Sequence, residues 1–314
     1  MKSGRNLLAI GRSGYLYNTI RHLDSIGYKF KAIITDEAYD EYAVKISDFK
    51  ELAEKLNAAF YVTKVLSFDL FNSLIHEHHI QIAISANWRF TIPETILKLF
   101  DVGILNYHLG NLPDYKGNAT VNWSIMKGEK SIYANVHKMD AMLDAGDVIS
   151  RTAIPIEDST YISDIISEAE RIAPVLYEEA IKKILINPND IEVAGTTHGL
   201  RCYPRLPEDS QINWNLSAFE IARLIRASSH PYRGAFTFLD KQKVTVWKAK
   251  VVREQNRFCA MPGQILEVKK SNNTITVACS QGLLEIEEIE YGCPDLAAGN
   301  LIKSIRQRFK YLAG

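Results

Sequence analysis

The 314-residue chain carries no surplus of either charge, since 37 Lys and Arg offset 37 Asp and Glu. A protein that grips a nucleic acid along its length carries a basic excess, because neutralising phosphates supplies much of the affinity. The balance therefore counts against a nucleic-acid partner. Cysteine is scarce: Cys202, Cys259, Cys279 and Cys293 form no C-x-x-C pair and match no zinc spacing. They read as free thiols in a reducing compartment. Long apolar runs are missing as well. Residues 7–10 make too short a run for a secretory core or a membrane span, and no later stretch reaches spanning length. The expectation is a cytoplasmic protein with no membrane partner. There is no G-x-G-x-x-G, because residues 11–14 read GRSG, so no dinucleotide cofactor is inferred. There is also no G-x-S-x-G nucleophile elbow, no internal repeat and no low-complexity tract.

What is present is a globular composition, 46% hydrophobic and 24% charged, on a chain long enough for two domains. The first half alternates apolar strand candidates (7–10, 30–35, 59–62, 80–85, 102–107) with helical patterns (15–25, 46–56, 68–77). That alternation argues for a mostly parallel sheet with helices on both faces. Strands at 132–138 and 147–154 follow, then a long helix at 161–185. From 235 to 288, short strands separated by turn residues predict a small antiparallel β-barrel, and the pattern at 297–311 predicts a closing helix. The fold expectation is thus α/β, a Rossmann-like sheet followed by a barrel-like domain. The boundaries read 1–190, a linker at 191–209, and 210–314, with Trp214, Tyr232, Phe236 and Trp247 in the second core.

The chemistry concentrates between residues 106 and 149. Asn106 and His108 are two apart in an extended stretch, so both point to one face. They lie at the carboxyl end of a predicted parallel strand, where open α/β sheets bind ligands. Asp144 sits in an acidic, glycine-bearing turn. Acyl transfer to an amine passes through an oxyanion that an Asn amide and an imidazole N–H can stabilise. The amine also loses a proton, which a His or an Asp can accept. On residue types alone, His108 closing a strand and Asp144 serving a turn is an equal alternative. The cluster His76, Glu77, His78 and His79 reads as a solvated helix end, not a metal site, because consecutive residues do not share a helix face.

The stretches NYHLGNLPDYKGNATVNWSI and GEKSIYANVHKMDAMLDAGDVI resemble the formyltransferase family. That family shows N-x-H, a loop of the type S-L-L-P-x-Y-R-G, a helix and then D-x-G-D. The resemblance implies a Rossmann-like domain taking 10-formyltetrahydrofolate as formyl donor, with Asn106, His108 and Asp144 catalytic. It places the donor against Trp88, Arg89, Phe90, Ile92, Leu112, Val136 and Asp140, with Trp88 and Phe90 either flanking the pterin or filling the core. The loop departs from the pattern at 109–113 (LGNLP) and at Lys116, where Arg is common, which bears on substrate preference.

Residues 205–214 and 230–236 resemble methionyl-tRNA formyltransferases and sugar N-formyltransferases. The neutral charge and the acidic segment 35–42 favour a small acceptor, a nucleotide-linked 4-amino sugar, over tRNA. Substrate-binding candidates are Arg12 and Tyr15 after the first strand, Tyr39 and Tyr42 in the acidic loop, and Lys116 and Asn118 beside the catalytic loop. For the tyrosines a solvated loop, and for the cations an ordinary surface pair, is the competing reading. Other acceptors are methionyl-tRNA or a modified amino acid, and a non-catalytic binder of folate or sugar nucleotide is the non-enzyme alternative. The partners expected are small molecules, with a homodimer as the only assembly admitted.

Overall fold

A computed structural model describes residues 6–38, 41–186, 199–240, 242–252, 259–291, 296–298, 302 and 304–311. Residues 191–198 of the expected linker fall outside them. The chain forms two compact units. One comprises Met1–Thr120, Ser131–Pro155 and Ile166–Tyr203; the other comprises Val121–Lys130, Ile156–Ile165 and Pro204–Gly314.

The first unit is built on β1 (Asn6–Gly11), β2 (Lys29–Thr35), β3 (Ala59–Val62), β4 (Ile82–Ala86), β5 (Gly103–Leu109), β7 (Ser131–Lys138) and β8 (Val148–Pro155). These strands lie in the order β3-β2-β1-β4-β5-β7-β8. The first five are parallel, while β5–β7 and β7–β8 are antiparallel. The order reverses between β1 and β4, which puts a switch-point crevice at their carboxyl ends. The central strands are buried on both faces, as a covered parallel sheet requires: Leu7 to Ile10 and Ile82 to Ile84 have no exposed surface.

The connecting helices are α1 (Ser13–Ser25), α2 (Ile46–Leu56), α3 (Phe68–His78) and the single turn α4 (Glu94–Leu97). Ser67 caps α3 by accepting from the Leu70 N–H, and α3 ends with His79 in the left-handed region at φ 51. The His76–His79 segment is therefore a helix terminus, its last turn basic where the carbonyl ends favour cations. A two-residue strand β6 (Lys116–Gly117) pairs in parallel with β9 (Arg201–Cys202). Helix α6 (Ile162–Ile186) belongs to this unit from Ile166 onward and continues through Pro174, whereas α5 (Thr120–Lys127) belongs to the second unit from Val121 onward. Buried hydroxyls tie α6 to the sheet, with Tyr177 donating to the Ser85 carbonyl and Tyr107 to that of Ala169.

In the second unit, a single 3-10 turn (Pro207–Ser210) precedes α7 (Ala218–Ser228), which opens with a Ser217/Glu220 capping box. Strands β10 (Ala235–Leu239), β11 (Gln242–Val252), β14 (Leu283–Glu290), β13 (Thr274–Ala278) and β12 (Ile265–Lys269) are neighbours in that order, with β15 (Leu296–Ala297) paired to β14. Trp214 and Trp247 are buried here, while Tyr232 and Phe236 are half-buried. The expected closing helix is not formed by the described residues at 304–311. The tail there is extended, bridging β10 through Phe238 and Lys310 and the entrance to β12 through Gln264 and Arg308. The apolar spacing that reads as helical serves two anchors instead. Ile302 is fully buried, and Phe309 stacks on Trp214 with ring centroids 5.4 Å apart. By touching both outer strands the tail covers the sheet edges, which would otherwise be open to pairing with another chain.

Candidate active site

The site grows out of the β5–β7 pair. Antiparallel register sets Asn106 opposite His137 and His108 opposite Asn135, so the NYH of β5 faces the NVH of β7 on one side of the sheet. His137 is wholly buried, and burial pushes its imidazole down to about 4 despite the nearby Asp144 carboxylate. It is therefore neutral. Its Nδ1 lies 3.3 Å from the Lys138 carbonyl, which can only accept, so the hydrogen belongs on Nδ1. Nε2 is then bare and accepts from Asn106 Nδ2 at 3.1 Å. This fixes which way the Asn106 amide points and leaves one of its two hydrogens for another acceptor. Asn135, also buried, donates to the carbonyls of His108 at 3.1 Å and Gly110 at 2.7 Å and so holds the end of β5 in place.

His108 sends Nε2 to the Tyr115 carbonyl at 2.8 Å, and its Nδ1 lies 3.5 Å from Asp144 Oδ2. Gly110, where the loop departs from the family pattern, makes room for this. A Cβ there would stand 2.6 Å from His108 Nε2. Asp144 adopts the left-handed backbone at φ 45. Its other oxygen is 3.7 Å from His137 Nε2, and Oδ2 also accepts from the Gly117 N–H at 2.8 Å. Burial alone would raise the carboxyl. His108, His137, the Gly117 N–H and Lys116 outweigh that effect and hold it below its ordinary value. The result is an ionised carboxylate against an imidazole, beside an oriented amide.

The loop carrying Lys116 and Gly117 is fastened by the β6–β9 ribbon. Leu200 N–H donates to Asp114 Oδ1 at 2.7 Å, Lys116 N–H to the Leu200 carbonyl at 3.0 Å, and Asn118 N–H to the Cys202 carbonyl at 3.1 Å. Gly117 is at φ +97, with the Cys202 carbonyl oxygen 2.5 Å from where a Cβ would be.

The remaining expected residues are distributed unevenly. Trp88 packs on the sheet core and makes an edge contact with Phe90 at 5.6 Å, while Phe90 itself is exposed. Arg89 pairs with the buried Asp36 at 2.5 Å. Ile92 and Leu112 are buried, and Asp140 is exposed, its Oδ1 accepting from the Met142 N–H at 2.7 Å. Val136 lies on the other face of the sheet from His137, in register with Tyr107. Arg12 is 3% exposed. It donates to the carbonyls of Asn87 at 3.0 Å and Glu37 at 2.8 Å, and sits 5.4 Å from the Tyr42 ring. Tyr15 is buried against Tyr107 at 5.3 Å. Asn118 is exposed, and Tyr39 lies outside the described residues. The residues that sequence reading missed are His137 and Asn135. Their signal was the second N-x-H, 29 residues after the first.

Comparison with known proteins bears on most of the chain. The model described as "Formyl transferase" matches residues 25–181, and that of "Formyl transferase, C-terminal domain" matches 206–306. The methionyl-tRNA formyltransferase of Alkaliphilus oremlandii is 33% identical over 220 residues, covering 68% of this chain and 69% of that protein. The bifunctional polymyxin resistance protein ArnA of Wigglesworthia glossinidia brevipalpis is 29% identical over 274 residues, covering 86% of this chain. The match spans only 40% of that longer relative. The crystal structure of an N-formyltransferase from Helicobacter canadensis, in complex with folinic acid and dTDP-3-aminofucose, superposes with a TM-score of 0.69 at 16% identity. It covers 92% of this chain and 99% of that one, which shows a shared fold.

Proposed function

We propose, from the premise that this chain belongs to the formyl transferase family, that it moves a formyl group from 10-formyltetrahydrofolate to the 4-amine of a nucleotide-linked amino sugar. The observation that carries the reading is the chain of contacts Asn106–His137–Asp144–His108, with successive separations of 3.1, 3.7 and 3.5 Å, at the end of β5. The residues present fit a flat, polar-edged donor. Among the described residues the buried Trp88 indole N–H has no acceptor, and Phe90 is exposed beside it after the end of β4, the neighbour of β5. When bound, 10-formyltetrahydrofolate supplies an activated formyl carbon. Asn106 presents its remaining N–H to the carbonyl oxygen on which negative charge develops. His108 takes the proton released by the amine at Nδ1, where the Asp144 carboxylate stabilises it, and the proton then passes to the donor's nitrogen as the bond between that nitrogen and the formyl carbon breaks and tetrahydrofolate leaves. No Ser or Cys nucleophile is needed when the amine attacks directly.

A sugar-nucleotide acceptor is supported by the Helicobacter canadensis structure, which holds an amino sugar on dTDP, and by the net charge of zero. One observation favours a second reading, methionyl-tRNA: the 33% identical relative bears that activity in its name. The test incubates the protein and 10-formyltetrahydrofolate with a panel: dTDP-linked 4-amino-4,6-dideoxyglucose and its galactose epimer, GDP-perosamine, UDP-4-amino-4-deoxyarabinose and methionyl-tRNA. Mass spectrometry then looks for one added formyl group. A formylated sugar nucleotide supports the first reading, a formylated tRNA replaces it with the second, and no product on any member overturns both.

A further inference from the structure

Next to Asp144 lies a cavity of about 170 Å³ lined by Lys116, Met142, Leu143, Ala145, Gly199 and Arg201. That is smaller than the roughly 300–1,000 Å³ of a site for a whole drug-sized ligand, so it accommodates one group of a larger molecule. Two of its lining residues are cations and none is acidic. Lys116 and Arg201 are register partners in the β6–β9 ribbon, which sets them side by side. Lys116 is only 8% exposed. Among the described residues, no carboxylate oxygen stands within the 4.0 Å of an ion pair with its Nζ, and no side-chain hydrogen bond engages it. Among the described residues, the Arg201 guanidinium has no ion pair and lies 5.1 Å from the ring of Tyr203. The carboxylate of Asp144 is already engaged by His108, His137 and the Gly117 N–H. Two cations side by side at a cavity with no acidic lining residue, and with no ion pair to either among the described residues, favour an anion between them, and an Arg–Lys pair is suited to a planar or tetrahedral oxyanion.

We propose that Lys116 and Arg201 form an oxyanion-binding subsite that anchors an acidic group of a reactant beside the catalytic carboxylate. The proposal rests on the formyl-transfer reading for what the reactants are. Two acidic groups share the required chemistry, the phosphates of the acceptor and the glutamate carboxylates of the donor. Met142 and Leu143 are half-exposed apolar side chains at the same cavity, and they cover the uncharged part next to that group.

The experiment is calorimetric titration of the full chain, and of Lys116→Gln and Arg201→Gln, with inorganic pyrophosphate and separately with folinic acid. Arg201 is exposed, so its variant tests the site even where Lys116→Gln fails to fold. The expected result is that one ligand binds the wild type and weakens at least tenfold in both folded variants, while the other changes less than twofold. Loss confined to pyrophosphate assigns the subsite to the acceptor's phosphate, and loss confined to folinic acid assigns it to the donor's carboxylate. The proposal is overturned if neither ligand binds, or if Arg201→Gln leaves both affinities within twofold. The outcome is independent of turnover. Charge-dependent binding without formylation of any panel member sinks the functional reading and keeps the subsite, and formylation with unaltered binding does the reverse.

Discussion

Replacing Asp144 by Asn isolates one electrostatic element of the site. The substitution is nearly isosteric, and Asn tolerates the left-handed backbone that residue 144 adopts. The amide oxygen still accepts from Gly117 N–H, now 2.8 Å away, so the β6 loop keeps its anchor. What is lost is the negative charge 3.5 Å from His108 Nδ1. For unit charges at that separation and an effective dielectric of about 20, the attraction is ~5 kcal/mol. This is an upper bound for a proton fully transferred to the ring. A half-transferred proton at the transition state gives ~2.5 kcal/mol, so kcat should fall between roughly 50-fold and 5,000-fold. The assay is initial-rate formylation of whichever acceptor the panel identifies, with kcat and KM separated and folding checked by thermal melting. A folded Asp144→Asn enzyme that keeps more than one-fifth of the wild-type kcat refutes the assignment of His108 as proton acceptor with Asp144 as its stabiliser. The pH dependence has a defined sign. Because the carboxyl is held below its ordinary value of 3.8, its contribution is present at neutral pH and is lost only as pH falls through that lowered value.

Three further outcomes are expected. His137→Leu removes the acceptor that aims the Asn106 amide and should lower kcat about 10- to 100-fold with little change in KM, whereas His137→Gln restores part of the rate. The same pair reports on stability. With His137 lowered from 6.5 to about 4 in the folded chain, the unfolded chain binds the proton first as pH falls through 6.5. Wild type should therefore lose on the order of 3 kcal/mol between those values, as urea titrations will show, and His137→Gln should lose less. Gly117→Ala puts a Cβ 2.5 Å from the Cys202 carbonyl oxygen at a positive φ, which should cost about 1–3 kcal/mol and lower the melting temperature. Trp214→Ala removes a buried ring that stacks on Phe309 and donates to Thr237 Oγ1 at 2.9 Å; a loss of about 3–5 kcal/mol is expected by denaturant unfolding.

Much of the parallel sheet was legible because buried strands advertise themselves as short apolar runs between turn residues. The runs at 7–10, 30–35 and 59–62 each fall within an observed strand, and the periodicity at 46–56 matches α2 residue for residue. The tail at 304–311 was not legible. Apolar residues at 302, 305 and 309 have helical spacing, but the backbone there hydrogen-bonds to β10 and to Gly263, and spacing alone carries no information about such distant partners. Arg12 shows a different limit. A cation at the end of β1 reads as a ligand for phosphate, yet its guanidinium reaches the carbonyls of Glu37 and Asn87, 25 and 75 residues away.

The candidate site divides the same way. Asn106 and His108 were readable because period-two geometry puts them on one face, and Asp144 through the family pattern. His137 lay in plain view within the quoted motif, but its role depends on antiparallel register, which places it opposite Asn106 and not opposite His108. A slip of one residue would turn its side chain to the other face, where Val136 lies in register with Tyr107. Fixing that register falls partly to Asn135, whose amide bonds the His108 and Gly110 carbonyls. The two N-x-H pairs thus act as one device. In the proposed mechanism the first pair meets the reactants, while in the second His137 orients the Asn106 amide and Asn135 holds the strand end that carries His108. Exchanging Asn135 for Asp tests this division. The loss of its N–H donors should loosen the 108–110 backbone and lower kcat by roughly tenfold or more, with the pH at which His137 titrates rising toward the new carboxylate. A variant with unchanged kcat and an unmoved His137 proton resonance would show that the second pair is only a fragment of sheet.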